Sequence, residues 1–487
     1  MTFQFIDNSF GIDRSARKLI RSHASKGHKV GKKRPSHLAQ LRRRPTKAAL
    51  VKPLVADINH DPELHQADSS GLIYDSMPPL RLPVGDFMTF PGELSARSRC
   101  HVRNFLCQIM HSIMSDDLGG RIDTRVPVRS LWIQNTFTNE AYFHSNVAFA
   151  IAIFEPEAAR SGADPEILRH FSRSLHLVNE RLSGQYALEN STLIAIIGLS
   201  QFERVQDKYE EALVHVQGLN RLALLRGGIA GFRDDPALMQ KLFRADLEIA
   251  LYFGTATTFR AEDLPSQTVT LWLRSLYKKD RQSYYTSQKM TLGLDDSLQA
   301  SFLDLMSLAA FVSGRTPCPM KLQIYPFHDM IIFLGFRLLE IRPLDQAELT
   351  TTYESLMHLA LIGFLTTFLR GLAGRASNFM AITSSLRKAI HEATIEEYHF
   401  QKLVVWASLI GGHVIFNQDD ECWLIPRLSE VSRALNLNWW GDVEVVLMDF
   451  PWIPSIHNKA AKRLWNMSQE VCFENKNSGK SLIGMIL

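Results

Sequence analysis

The chain has 487 residues, 46% apolar and 21% charged, with a formal net charge of +4. That length and apolar content suffice for one large core or two adjoining ones, and they exclude a wholly disordered chain. Five scattered cysteines, Cys100, Cys107, Cys318, Cys422 and Cys472, are odd in number; they argue against a disulfide framework and for a reducing compartment.

The net charge hides a strong asymmetry. Residues 1–52 hold 14 Lys and Arg against Asp7 and Asp13, a net +12, while the remainder holds 40 bases and 48 acids, a net −8. A basic arm on an acidic body points to a polyanion or a transport receptor as the partner of the arm. Met1 to Asp7 lack a basic start leading into an apolar run, so no secretory signal is read there. A helix-compatible stretch from Arg14 to His23, with Asp13 as a candidate N-cap, breaks at Gly27. Lys32, Lys33 and Arg34 follow, and then Arg42, Arg43 and Arg44. Two short basic clusters at this spacing form a nuclear-import pattern. The same side chains could contact phosphates without reading bases, or simply stay solvated. No aromatic residue lies between Phe10 and Tyr74, which removes base stacking and weighs against single-strand binding. Residues 49–90 contain Pro53, Pro62, Pro78, Pro79 and Pro83 with little periodicity, and read as a linker.

Helical punctuation begins near residue 91. Asp164, Pro165 and Glu166 supply an N-cap, a first-turn proline and an acid for the helix dipole. Ile167, Phe171, Leu175, Val178 and Leu182 then repeat at helical spacing, and Gly184 is placed to end the run. Leu193 to Leu199 is apolar almost all round, which predicts a central helix. After Asp207 an amphipathic pattern carries Tyr209, Leu213, Val216 and Leu219, and closes at Arg226, Gly227 and Gly228. Asp235 and Pro236 repeat the start signal before Leu238, Leu242, Ala245 and Ile249. Further helices are read near 297–313, 327–341, 348–372, 379–391, 399–416, 427–436 and 457–472. The spacings between helix starts are unequal and share no consensus, which argues against a repeat protein. The apolar stretches Ser355–Leu369 and Leu403–Gln418 would span roughly 22–24 Å as helices, short of a ~30 Å hydrocarbon core, so they read as core helices of a soluble, intracellular protein.

Residues that could carry chemistry are few. Cys107 and His111 share a helix face, with Cys100 a turn or two earlier, but no CxxC pair or second ligand pair accompanies them; a packed thiol beside a histidine is the favoured reading. Gly479, Lys480 and Ser481 resemble the end of a phosphate-binding loop, yet Glu474 stands where that loop needs glycine, so a flexible tail is preferred. The single Arg226-Gly227-Gly228 triplet is better explained as a helix end than as an RNA-binding element. Six of the eight tryptophans lie between 406 and 465, and packing is favoured there over a partner-binding surface. No nucleophile with a base, and no pair of carboxylates, stands at a spacing that suggests catalysis.

Phe3-Gln4-Phe5-Ile6, then Arg17 through Ala24 and Gly31-Lys32-Lys33-Arg34, resemble the opening of a group of fungal-specific transcription-factor-like proteins. The resemblance continues at His144–Ala150, Leu175–Leu182, His215–Leu219, Leu225–Ile229 and Ala245–Glu248, and ends with Trp440 through Trp452 and Leu464-Trp465. It implies an all-helical regulatory domain like the one behind the zinc binuclear cluster of fungal transcription factors, serving regulation, dimerisation or effector response, without catalytic residues. Control of a specialised-metabolite gene cluster is typical of such proteins. The zinc cluster needs six closely spaced cysteines, and no cysteine precedes Cys100 in this chain. Sequence-specific DNA binding by the chain itself is therefore not expected.

The expectation is an all-α fold: an irregular multi-helix array of helical hairpins with a disordered basic N-terminal arm. Its parts are a basic arm over 1–48, a proline-containing linker over 49–90, a helical regulatory domain over 91–472 that divides near 255–295 if it forms two sub-bundles, and a flexible tail over 473–487. The function read is a non-enzymatic nuclear regulator or co-regulator of transcription, with no cofactor and no metal, catalytic or cofactor-binding residue. Lys32, Lys33, Arg34, Arg42, Arg43 and Arg44 are its import or phosphate-contacting residues. The partners implied are an import receptor, DNA bound weakly and non-specifically through the arm, other transcription regulators and a second copy of the chain, with no membrane. A cytosolic scaffold or adaptor is the alternative, and an enzyme with an unrecognised site the remote one.

Overall fold

The computed structural model describes residues 90–111, 118, 120–123, 131–264, 267–344, 352–369, 379–394 and 396–483, without side-chain detail for 108–111, 352 and 471–483. The basic arm and nearly all of the linker lie outside the described residues. Thr89–Leu487 forms one compact unit.

In chain order its helices are α1 Ala96–His111, α2 Leu131–Thr138, α3 Glu140–Phe154, α4 Pro156–Arg160, α5 Pro165–Leu182, α6 Asn190–Val205, α7 Tyr209–Leu225 and α8 Pro236–Phe253. There follow α9 Gln267–Tyr277, α10 Arg281–Met290, α11 Asp296–Val312, α12 Ile324–Ile341, α13 Thr352–Thr366, α14 Met380–Glu392, α15 Tyr398–Val414, α16 Glu421–Ala434, α17 Trp440–Leu447 and α18 Pro454–Ile483. Among the described residues the only strands are β1, Ile122–Asp123, and β2, Leu322–Gln323, paired in parallel over two residues. The protein is all-α, as expected, an array of helices packed mostly against helices one to three places away in the chain.

The caps show which local signals operate. Asp164 Oδ1 accepts from the Glu166 and Ile167 amides at 3.0 and 2.9 Å, so α5 starts where its sequence says. Asp235 also precedes a helix, but its carboxylate makes no cap bond and instead meets Arg226 Nη2 at 3.3 Å. Gly227 and Gly228 have φ of 109° and 69°, the left-handed region, and end α7 as expected. Gly184 differs: α5 closes through Ser183 in right-handed geometry, with the Gly184 amide donating to Arg181 O.

Packing rotates one helix face away from the simple apolar reading. The most buried positions of α5 are Ile167, His170, Ser174, Val178 and Leu182, while Phe171 and Leu175 sit at the flanks. The reason is the neighbour. Ser174 Oγ donates to Ala141 O at 2.8 Å and the His170 ring meets His144 at 2.8 Å, so α3 and α5 are joined by small and polar groups. A similar close approach occurs at Gly335 of α12, where an added Cβ would lie 2.6 Å from Leu247 of α8 and 3.1 Å from Leu365 of α13.

The largest apolar cluster runs from Ala141 through Phe243, Phe302, Phe336 and Phe364 to Trp465, with members on both sides of 255–295. A smaller one joins α1, α3 and α6 through Phe105, Val147, Ile151 and Phe202. The C-terminal indoles mostly serve packing. Trp406 is fully buried with Nε1 donating to Pro451 O at 3.1 Å; Trp423 and Trp452 donate to Asp420 and Asn458, each at 2.9 Å. Trp439 is the exception, at 68% exposed. No described helix is long and apolar enough to cross a membrane.

Candidate functional site

Most charged groups inside the array are structural clamps whose charges are met. Asp304 on α11 accepts from Arg274 of α9 at 2.8 Å and Arg337 of α12 at 2.7 Å, tying three helices together. Asp246 on α8 accepts from the Thr258 and Phe259 amides and from Asn220, fixing the chain after α8.

One cluster is different. Helix α8 places Lys241, Arg244 and Glu248 at i, i+3 and i+7, one face of the helix. Arg204, in the last turn of α6, reaches the same place and forms an ion pair with Glu248 through Nη1. Arg244 Nε binds the other oxygen of Glu248 at 2.7 Å, and its Nη2 donates to Leu369 O, just beyond α13, at 3.2 Å. Trp132 of α2 lies beneath Lys241, with Nζ 5.5 Å from the ring centroid. From α12 come His328, whose ionisation is opposed by Arg244 and Lys241, and Asp329, which accepts from Gln240 at 2.6 Å. Four helices, α2, α6, α8 and α12, and the chain end of α13 thus converge.

The electrostatics of the cluster are unbalanced. Two arginines, Arg204 and Arg244, share one carboxylate, Glu248, Lys241 stands on the same helix face, and burial raises Asp329 toward its neutral form. Lys241 has no hydrogen-bond or ion-pair partner among the described residues; burial first, then the charges of Arg244 and Arg204, push it down to about 7. Burial lowers both arginines to about 10, so they stay cationic at neutral pH around Glu248. Burial and the adjacent cations hold His328 well below its usual range, as the neutral ring. Two donors nearby are also unmet: Arg204 Nε and Trp132 Nε1 are buried without an acceptor among the described residues. Yet Arg204 and Arg244 keep 15% and 19% of their side chains accessible. The arrangement can receive an anion.

The residues singled out in the sequence fall elsewhere. Lys32, Lys33, Arg34, Arg42, Arg43 and Arg44 lie outside the described residues. Cys100, Cys107 and His111 are on α1, with Cys100 exposed and Cys107 half-buried; no group of three potential metal ligands occurs among the described residues. The Gly479-Lys480-Ser481 triplet, read as a flexible tail, is on the last turns of α18, which runs past residue 472 to Ile483. Sequence reading missed the cationic cluster because Lys241, Arg244 and Glu248 have the spacing of an ordinary solvated helix face. The available signal was Trp132 and Arg204 in otherwise apolar surroundings, and it is weak.

The described residues form a helical array whose helices are tied together by buried ion pairs and polar clamps. The family model described as "Fungal specific transcription factor domain" matches residues 103–447, more than two thirds of the chain. The chain belongs to that family, and is in that sense a fungal transcriptional regulator. No curated protein and no solved structure matches it.

Proposed function

We propose that this protein is a non-catalytic nuclear regulator of transcription that works through its helical domain, delivered to the nucleus by the basic arm. The family match over 103–447 is the observation that supports it, together with a net +12 confined to residues 1–52. In this reading Lys32, Lys33, Arg34, Arg42, Arg43 and Arg44 engage an import receptor, and the helical domain engages other regulators or a second copy of the chain. In this reading direct DNA contact runs through phosphates and the arm, at ~10⁻⁴–10⁻⁶ M with little sequence preference, since the five scattered cysteines of these 487 residues form no zinc cluster. Control of a specialised-metabolite gene cluster is the finer form of the proposal, which transcript profiling after gene deletion tests.

The experiment is localisation and chromatin mapping of the tagged chain, intact and with the six basic residues changed to alanine. The intact protein accumulates in nuclei and occupies discrete loci, and the six-fold variant stays in the cytoplasm with the domain still folded. A protein that is cytosolic when intact supports the adaptor reading instead.

A further inference from the structure

The structure assigns to the cluster of Arg204, Lys241, Arg244 and Trp132 the binding of a small molecule bearing an oxyanion, a carboxylate or a phosphate. This deepens the regulatory reading, since such a ligand would be an effector of the helical domain, and it rests on that reading only for its biological meaning.

Three observations lead there. First, the charges do not cancel: the two oxygens of Glu248 already serve Arg204 and Arg244, and Lys241, on the same helix face, has no ion-pair partner among the described residues. Buried cations are ordinarily paired, and removing a lysine amine from water without a partner is costly. Second, the lone amine is oriented. Lys241 stands over the Trp132 ring, 5.5 Å from its centroid, on the same helix face as Arg244. Third, further donors are left over in the same surroundings, the neutral Trp132 Nε1–H and the Arg204 Nε–H, both buried without acceptors among the described residues. An ammonium, which an anion beside it would favour, a guanidinium edge and an indole N–H are donors alone, and an oxyanion is the group that is acceptor alone.

The other clusters lack this combination. Asp304 with Arg274 and Arg337 is satisfied by direct bonds and by the Ala300 carbonyl, and the His144–His170 pair is closed on itself by its 2.8 Å contact. The convergence of helices from both halves of the array on one anion would also give the ligand leverage. Arg204, Lys241 and Arg244 belong to α6 and α8, Trp132 to α2 and His328 to α12, so occupancy would favour the arrangement in which these helices are closed.

The test uses the purified full chain in a buffer free of carboxylates and phosphate. Benzoate, citrate and inorganic phosphate are titrated separately, against sodium chloride at matched ionic strength, with thermal unfolding and calorimetry as readouts. At least one of the three binds saturably and raises the unfolding temperature beyond the chloride control; benzoate or citrate points to a carboxylate ligand, phosphate alone to a phosphorylated one. Lys241→Met weakens that binding roughly tenfold or more, and Trp132→Phe, which keeps an aromatic face and removes the N–H with the five-membered ring, weakens it by a smaller factor. Lys388→Met, at an exposed position of α14, leaves it unchanged. Should Lys241→Met fail to fold, Trp132→Phe decides. Absence of any effect above chloride, or equal binding by the Lys241 and Trp132 variants, overturns the site. If no probe binds while the tagged protein still occupies chromatin, the regulator stands and the oxyanion site falls; binding by a protein absent from nuclei supports the site and overturns the regulator.

Discussion

A lysine held inside a protein with no ion-pair partner among the described residues should be a burden on its stability, and Lys241 is the place to measure it. Methionine in its place keeps the length and apolar stem and removes the amine. Burial and the neighbouring Arg244 and Arg204 bring Lys241 from 10.5 to about 7. At neutral pH that gap corresponds to on the order of 4 kcal/mol, since each tenfold change in proton affinity is about 1.4 kcal/mol. Residual solvent access and the Trp132 ring offset part of it, so Lys241→Met should stabilise the unliganded protein by roughly 2–4 kcal/mol. The direction with pH follows from the lowered value. Between about 7 and 10.5 the unfolded chain binds a proton that the folded chain does not, so wild-type stability gains on the variant as pH rises. The advantage of the variant is therefore greatest at and below pH 7 and shrinks toward 10.5. Urea unfolding of both proteins at several pH values, without added anions, measures it. A variant no more stable than wild type at pH 7, or an advantage constant across the window, would refute the reasoning.

Three further outcomes follow from other parts of the array. Gly227→Val and Gly228→Val should each cost roughly 1–2 kcal/mol through backbone conformation alone, because a Cβ meets nothing within 4 Å at either position; Gly227→Asn should cost less, as calorimetry would show. Gly335→Val should cost roughly 1–3 kcal/mol by overpacking against Leu247 and Leu365, and equilibrium unfolding that shows no loss would place α8 and α12 further apart than described. Burial holds His358 at about 4, with Nε2 2.7 Å from Leu338 O, so the folded protein keeps it neutral while the unfolded chain protonates near 6.5. Stability should accordingly fall as pH drops from 6.5 toward 4, by on the order of 2–3 kcal/mol from this residue, and a His358→Gln variant should show a shallower loss in urea titrations over that range.

The sequence by itself determined the fold class and much of the local punctuation. Asp164 with Pro165 starts a helix, and Gly227 with Gly228 ends one, through bonds and torsions made within a few residues, which is why both were legible. The apolar run at Leu193–Leu199 announced a central helix because burial on all sides leaves no room for a polar stripe. The tertiary structure decided the rest. His170 and Ser174 replace Phe171 and Leu175 at the centre of the α5 face because α3 offers a carbonyl and a histidine there, which no periodicity can reveal. Asp235 caps nothing because Arg226 lies beside it. Lys241, Arg244 and Glu248 read as a solvated face at their helical spacing, and only the arrival of Trp132, Arg204 and His328 from other helices turns that face inward. A helix carries its own hydrogen bonds and periodicity, so sequence can declare it, but the charge and solvent around each side chain are set by which other helices it meets.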